Sequence, residues 1–253
     1  MTAMSLRFFA PCPRGLEALL AAELAGLGAH STAPADGGVA FGGGERLLYR
    51  ANLESRLASR ILLYAGGGEY NTEEDIYRTA RAIEWTAAFE RGRSIRVAVA
   101  AVPSPLRSLD FVTLRVKVAV CDAFRAATGA RPDVDTRNPG VRIHVFLDRG
   151  QASVYLDTSG EPLFKRGWRT GTVDAPLREN LAAGILALAG WRPPLPLLDP
   201  MCGGGAFVLE AATAMLGIAP GVDRGFAFER LSRYDARLWG EVRAAADAAR
   251  RPV

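Results

Sequence analysis

Apolar residues recur every three or four positions in several segments, and this spacing predicts amphipathic helices. Five leucines over residues 14–27 form such a stripe, and a second stripe over residues 109–127 ends before Gly129. Residues 45–52 are a shorter candidate. Thr72 followed by Asp75 three positions later is typical of a helix start in which each side chain caps the other's backbone amide.

Strict alternation of apolar residues with others marks a different set of segments and predicts half-buried strands. Residues 95–101, 141–147 and 154–156 alternate in this way, and Asp148-Arg149-Gly150 joins the last two as a hairpin. Shorter strands are expected at residues 5–10, 39–41 and 60–64. The three glycines at 66–68 predict a flexible break after the last of these.

This order of strands and helices predicts an α+β sheet with helices on one face, ending near residues 158–162. Beyond it lie a basic, aromatic segment at 164–169 and a predicted helix at 175–189. A strand at 195–198 then leads into a glycine-rich turn and a helix at 206–216. A final amphipathic helix is expected after Ser232-Arg233-Tyr234-Asp235, which has the pattern of a capping box.

Composition places the chain among ordinary globular proteins of one or two domains. Its 253 residues are 49% hydrophobic and 23% charged, with a net charge of +4. All of its basic residues except Lys117 and Lys165 are arginines. A basic excess fits an anionic partner such as nucleic acid. Compositional bias toward arginine and alanine is the alternative explanation.

Cysteine and histidine usage argues against disulfides and metal sites. Cys12, Cys121 and Cys202 are far apart, and His30 and His144 are the only histidines. The N-terminus does not resemble a signal peptide, and the longest apolar stretch is too short for a membrane span. We therefore expect a cytoplasmic protein with no metal and no membrane partner.

The glycine-rich turn carries the most specific chemistry of the chain. It reads Asp199-Pro200-Met201-Cys202-Gly203-Gly204-Gly205, and glycines at such a turn let backbone amides approach a nucleotide-like ligand. The dinucleotide pattern G-x-G-x-x-G is broken at Val208, which disfavours a nucleotide-dependent oxidoreductase. A turn that binds no ligand remains the alternative. With no histidine nearby in sequence, Cys202 is interpreted as a small residue in a tight turn.

This turn resembles motif I of the S-adenosylmethionine-dependent methyltransferases, in particular the D-P-M-C-G-S-G-T form of RNA guanine-N2 methyltransferases. The resemblance implies S-adenosylmethionine as cofactor, with these binding residues: Asp199, Pro200, Cys202, Gly203 and Gly205. The serine and threonine of the family are Gly204 and Ala206 here. Two lost hydrogen bonds at about 0.5–1.5 kcal/mol each predict roughly tenfold weaker cofactor binding.

Segments upstream are similar to the bacterial RlmL-type 23S rRNA methyltransferases. They are residues 14–20, 37–39, 55–61, 116–124, 131–135, 156–160 and 165–169. The resemblance implies a ferredoxin-like domain at 1–65 and an RNA-binding THUMP domain at 66–158, which in the family begins nearer residue 45. It implies the incomplete start of an α/β Rossmann-like methyltransferase domain at 159–253.

The catalytic Asn-Pro-Pro-Tyr motif of that family does not occur in the chain. We therefore assign no catalytic residue and expect the chain to end before the catalytic part and to be inactive alone. A stand-alone RNA-binding THUMP protein with a vestigial methyltransferase fold is the alternative function. An incomplete sheet also predicts that residues beyond Leu216 are mobile, or pack on the THUMP region or on a second copy.

Candidate RNA contacts fall in three places. Arg107 and Ser108 precede the long helix, where Ser108 is positioned to cap it. Arg115 and Lys117 flank its apolar stripe, with solvated surface charges as the alternative. The third group, with an interdomain clamp as its alternative, consists of Arg166, Trp168 and Arg169. Glu179 and Asn180 fit helix surface better than a cofactor contact.

Overall fold

The computed structural model describes residues 5–102, 104–168 and 177–252. These residues divide into two compact units. The first unit contains the chain up to Ile61, Glu161–Phe226 and the residues from Asp235 onward. The second unit contains Leu62–Gly160 and Ala227–Tyr234.

The N-terminal part of the first unit is a three-stranded antiparallel sheet with two helices. Its elements are β1 (Leu6–Pro11), α1 (Glu17–Gly26), β2 (His30–Ala35), β3 (Gly38–Gly43) and α2 (Glu45–Glu54), with strand order β2-β3-β1. Phe8 pairs with Phe41 across β1 and β3, and their rings stack 5.0 Å apart. Strand β2 was not predicted because its residues are mostly exposed and do not alternate.

The described residues of the second unit form four strands, three α-helices and a short 3-10 helix at Ala227–Arg230. The strands and α-helices are β4 (Leu62–Glu69), α3 (Glu73–Arg81), α4 (Trp85–Ala88), β5 (Ile95–Ala101), α5 (Leu109–Thr128), β6 (Val141–Asp148) and β7 (Gln151–Asp157). The strand order is β4-β7-β6-β5, and only β5 and β6 are parallel to each other. Helix α5 packs on α3 and β5, and Phe124 contacts the Phe89 ring at 5.0 Å.

The predicted break at residues 66–68 is wrong, because β4 continues through these glycines and pairs with β7. The reason is steric. A Cβ on Gly67 would lie 2.5 Å from the carbonyl oxygen of Ala152, and one on Gly66 would lie 2.9 Å from the Ile83 side chain. The glycines therefore allow close packing within a strand rather than interrupting it.

The C-terminal part of the first unit consists of α6 (Glu179–Leu188), α7 (Ala206–Met215) and α8 (Ala236–Ala248). Helix α6 packs on α7, and α8 packs on α2. The predicted strand at residues 195–198 does not form, and Leu198 is 87% exposed. A strand is stabilised by its neighbours, and none of the described strands pairs with this segment.

The predicted cap of the last helix is wrong. Asp235, not Ser232, caps α8, and its carboxylate accepts hydrogen bonds from the amides of Arg237 and Leu238. The predicted packing of residues beyond Leu216 on the THUMP region is confirmed for Ala227–Tyr234, which belong to the second unit, whereas residues 217–226 and those from Asp235 onward belong to the first unit. Trp239 is buried in the first unit, with its ring 5.8 Å from that of Tyr49. Burial of this aromatic residue anchors α8.

Of the helices that the structure describes, none has the length and apolar character needed to cross a bilayer.

The predicted capping box at α3 is confirmed, and it gives a pH-dependent prediction. Hydrogen bonds from the amide of Asn71 and from the hydroxyl and amide of Thr72 lower the pKa of Asp75 from 3.8 to about 2. Ionised Asp75 therefore stabilises the folded state above pH 3.8, the ordinary pKa of aspartate, and this contribution is lost as the pH falls through the folded-state pKa of about 2.

The unfolding temperature of the wild type should exceed that of Asp75→Asn at pH 6. The gap should shrink below about pH 4 and vanish only below about pH 2; a constant gap would contradict the assignment.

Candidate functional site

The glycine-rich turn lies directly before α7 and is stabilised by its own backbone. The amide of Gly205 donates to the carbonyl oxygen of Cys202 at 2.7 Å. Gly203 and Gly205 have φ values of 51° and 74°, in the left-handed region that glycine adopts without strain. The Asp199 carboxylate accepts a hydrogen bond of 3.1 Å from the amide of Met201. The predicted cofactor residues 199–205 therefore form one ordered turn.

The turn is open to solvent, so a ligand has access to its backbone. Met201 is 90% exposed, and Pro200, Cys202 and Gly203 are exposed as well. Gly205 is the N-cap of α7. The first amides of a helix lack intrahelical acceptors and carry a partial positive charge. This arrangement suits a ligand with a polar or anionic group, so the residues present fit a nucleoside-type cofactor such as S-adenosylmethionine.

A buried ion-pair cluster contacts α7, the helix that follows the glycine turn. Glu210 in α7 is 1% exposed, and its two carboxylate oxygens accept one hydrogen bond each from Arg166 Nε and Arg56 Nη1, both at 3.2 Å. Burial lowers the pKa of Arg56, against the opposing effect of Glu210. Sequence reasoning missed Arg56 and Glu210, because they are separated by most of the chain and no local pattern marks them.

Arg166 was predicted as an RNA contact, but the structure places it inside the first unit. It is 2% exposed and also donates to the carbonyl oxygens of Leu163 and Arg56. This position agrees with an interdomain clamp, which was the alternative prediction for Arg166. Trp168 is half-buried, and Arg169 lies outside the described residues.

Asn180 is also buried, which differs from the surface position expected for it. Its amide nitrogen donates to the Leu57 carbonyl oxygen at 3.2 Å and to Ser59 Oγ at 3.1 Å. Its Oδ1 atom is buried and has no hydrogen-bond partner among the described residues. Glu179, beside it, is half-buried at the start of α6.

The remaining RNA candidates lie on the second unit. Arg107 and Ser108 are exposed, and Ser108 Oγ accepts from the amide of Phe111 at 3.2 Å, which confirms the predicted cap. Arg115 pairs with Glu74 and lies 4.4 Å above the Tyr77 ring, so its guanidinium already has partners in the protein.

Lys117 lies in a groove of about 560 Å³ beside α5. Arg125 and Arg131 line the same groove, together with Asp122 and Asp133. Arg125 pairs with Asp122 at 3.0 Å. The sequence did not single out Arg125 and Arg131, since their approach to Lys117 depends on how the chain returns after α5. The groove therefore brings Arg131 and Asp133 beside the basic and acidic side chains of α5.

Comparison with known protein families divides the chain into three matching regions. Residues 7–62 match the RlmL ferredoxin-like domain, residues 70–157 match the THUMP domain, and residues 166–252 match the RMKL-like methyltransferase domain. The three regions follow one another in the order that the sequence predicted.

Solved structures similar to the chain carry methyltransferase names. SMU.472, described as a methyltransferase and solved with SAH, is 33% identical to this chain, with a TM-score of 0.87. The alignment covers 99% of this chain and 66% of the SMU.472 chain, and the coverages below are given in the same order. A Listeria monocytogenes protein described as an N6-adenine-specific DNA methylase is 29% identical with a TM-score of 0.88, covering 97% and 64%. A protein of Clostridium difficile 630 described as a methylase is 29% identical with a TM-score of 0.87, covering 97% and 65%. The chain thus spans just under two thirds of each of these structures.

Proposed function

Because the chain belongs to the RlmL-type methyltransferases with a THUMP domain, we propose that it supplies the RNA-binding and methyl-donor-binding parts of an RNA methyltransferase. The observation that carries this proposal is the ordered glycine turn at residues 199–205, directly before α7 and inside the matched methyltransferase region. The SAH bound to SMU.472 supports S-adenosylmethionine as the cofactor.

Residues of the turn would hold the donor through the backbone. Gly203 and Gly205 leave room for close approach, and the first amides of α7 would bind a polar or anionic group. Asp199 keeps the turn closed by accepting from the Met201 amide. When bound, S-adenosylmethionine supplies an activated methyl group on its sulfonium sulfur. Titration of SAH into the purified chain tests this site, and absence of binding would favour the stand-alone RNA-binding alternative.

The proposed acceptor is the exocyclic N2 amine of a guanine in 23S rRNA, which an enzyme reaches by taking the base out of the stack. The chain contains no Asn-Pro-Pro sequence to orient such an amine. We therefore expect no transfer of isotope-labelled methyl groups to rRNA by the chain alone. Incorporation into rRNA would contradict this expectation. The Listeria protein is described as an N6-adenine-specific DNA methylase, so DNA belongs in the same assay as a competing substrate.

The groove beside α5 is the proposed RNA surface of the THUMP domain. The double variant Lys117→Gln/Arg131→Gln should bind RNA more weakly, because two cations that neutralise phosphates are removed. The slope of log affinity against log salt concentration should fall by about 0.7 for each lost contact with single-stranded RNA. Fluorescence anisotropy over a range of salt concentrations measures both effects.

Arg149→Gln is the matched control for this experiment. Arg149 is a highly exposed cation in the hairpin turn of the same unit and does not line the groove. Its replacement should lower RNA affinity only slightly. Equal losses from the control and from the double variant would show a general charge effect and would contradict the groove as the RNA surface.

A further inference from the structure

We propose that Arg56 is a positioning residue for the methyl-donor turn, so that the ferredoxin-like region forms a structural part of the cofactor site. This inference rests on the proposed function. Arg56 lies in the region matched by the ferredoxin-like model, whereas the turn lies in the region matched by the methyltransferase model. Both belong to the first compact unit.

The Arg56 side chain binds three groups on or just after α7. Its Nη1 atom donates to Glu210 Oε2 at 3.2 Å and to Thr213 Oγ1 at 3.1 Å, and its Nη2 atom donates to the Ile218 carbonyl oxygen at 2.6 Å. These contacts lie on successive turns of one helix and at its C-terminal end. Because a helix is rigid over this length, they set the position and tilt of its N-terminus, where Gly205 begins the cofactor turn.

Arg166 completes the clamp from the opposite oxygen of Glu210. Its Nε atom donates to Oε1 at 3.2 Å, while its Nη2 atom donates to the Arg56 carbonyl oxygen at 2.7 Å. Both carboxylate oxygens of Glu210 are therefore bound by different guanidinium groups. Replacing a buried ion pair by apolar residues often costs no stability, so a fixed geometry is the better explanation for this cluster.

The backbone around Arg56 is itself anchored on α1. Glu23 accepts hydrogen bonds from the Arg56 amide at 2.7 Å and from Ser55 Oγ at 2.6 Å. Burial raises the pKa of Glu23, and these hydrogen bonds oppose the shift. The adjoining Leu57 carbonyl oxygen accepts from Asn180 on α6. One short segment thus links α1 with α6 and α7, two helices of the methyltransferase region.

The test compares Arg56→Met and Arg56→Lys with the wild-type chain. SAH titration should show about tenfold weaker binding for Arg56→Met, the result of losing about 1.4 kcal/mol. Hydrogen exchange without ligand should be faster over residues 203–209 in the same variant. Lysine keeps the charge but cannot reach all three groups, so it should give intermediate values. Arg46→Met, which breaks the exposed Arg46–Glu241 ion pair of the same unit, should match the wild type in both measurements.

Different outcomes separate this inference from the proposed function. A lower unfolding temperature for Arg56→Met, with wild-type exchange and affinity, would overturn the positioning role. If the wild type binds no SAH, the cofactor proposal fails, and the exchange rates alone decide the positioning role.

If Arg56→Met does not fold, Thr213→Val replaces it. This isosteric change removes one acceptor of Arg56, so faster exchange at residues 203–209 supports the inference and unchanged exchange overturns it.

Discussion

Glu210→Ala should lower the free energy of unfolding by about 3–5 kcal/mol, the cost of breaking a buried ion pair from one side. Alanine would leave the Arg56 and Arg166 guanidinium groups without their shared carboxylate in a buried place. For a chain of this size, the unfolding temperature should fall by about 10 °C. Differential scanning calorimetry measures this change directly.

Glu241→Ala is the control for this prediction. Glu241 also pairs with an arginine in the first unit, but both side chains of the Arg46–Glu241 pair are largely exposed. An exposed pair contributes about 0–1 kcal/mol, so this variant should unfold close to the wild-type temperature. Equal effects of the two substitutions would contradict a buried cluster in which Arg56 and Arg166 depend on the Glu210 carboxylate.

Gly205→Val should weaken SAH binding by about a hundredfold or more, because a β-branched residue at a φ of 74° carries strain of order 1–3 kcal/mol and pushes the turn toward another conformation. The backbone amides that would bind the donor then no longer converge on one ligand position. Isothermal titration calorimetry measures the affinity, and the unfolding temperature is recorded for the same sample.

Gly190→Val supplies a matched comparison. Gly190 follows α6 with a φ of 73°, and a Cβ there would have no neighbour within 4 Å. The two variants should therefore lose similar stability, whereas only Gly205→Val should lose affinity for SAH. A similar loss of affinity in both variants, or in neither, would contradict a donor site at the turn.

Much of the fold could be predicted because its signals are local. The alternation in β5, β6 and β7, the stripe of α5 with Gly129 at its end, and the Thr72 cap all depend on neighbouring residues. Errors arose where distant packing decides the structure. Strand β4 tolerates its glycines because they fit against β7, and residues 195–198 remain irregular because no described strand pairs with them.

The candidate site divides in the same way. The turn at residues 199–205 is contiguous, so its glycines and its acidic residue were visible in the sequence. The Arg56–Glu210–Arg166 cluster joins three distant segments, and Arg166 was therefore predicted as an RNA contact, with an interdomain clamp as the alternative. Lys117 was named as a candidate RNA contact, but the groove around it was not predicted, since Arg131 approaches it from the segment beyond α5.

The proposed function depends on binding of the methyl donor at the glycine turn before α7. Photocrosslinking of isotope-labelled S-adenosylmethionine to the chain, followed by peptide mapping, locates the bound donor. We predict label within residues 199–207, removed by excess SAH and absent from Gly205→Val. Label confined to another part of the chain, or label within the turn that SAH does not displace, would contradict the account.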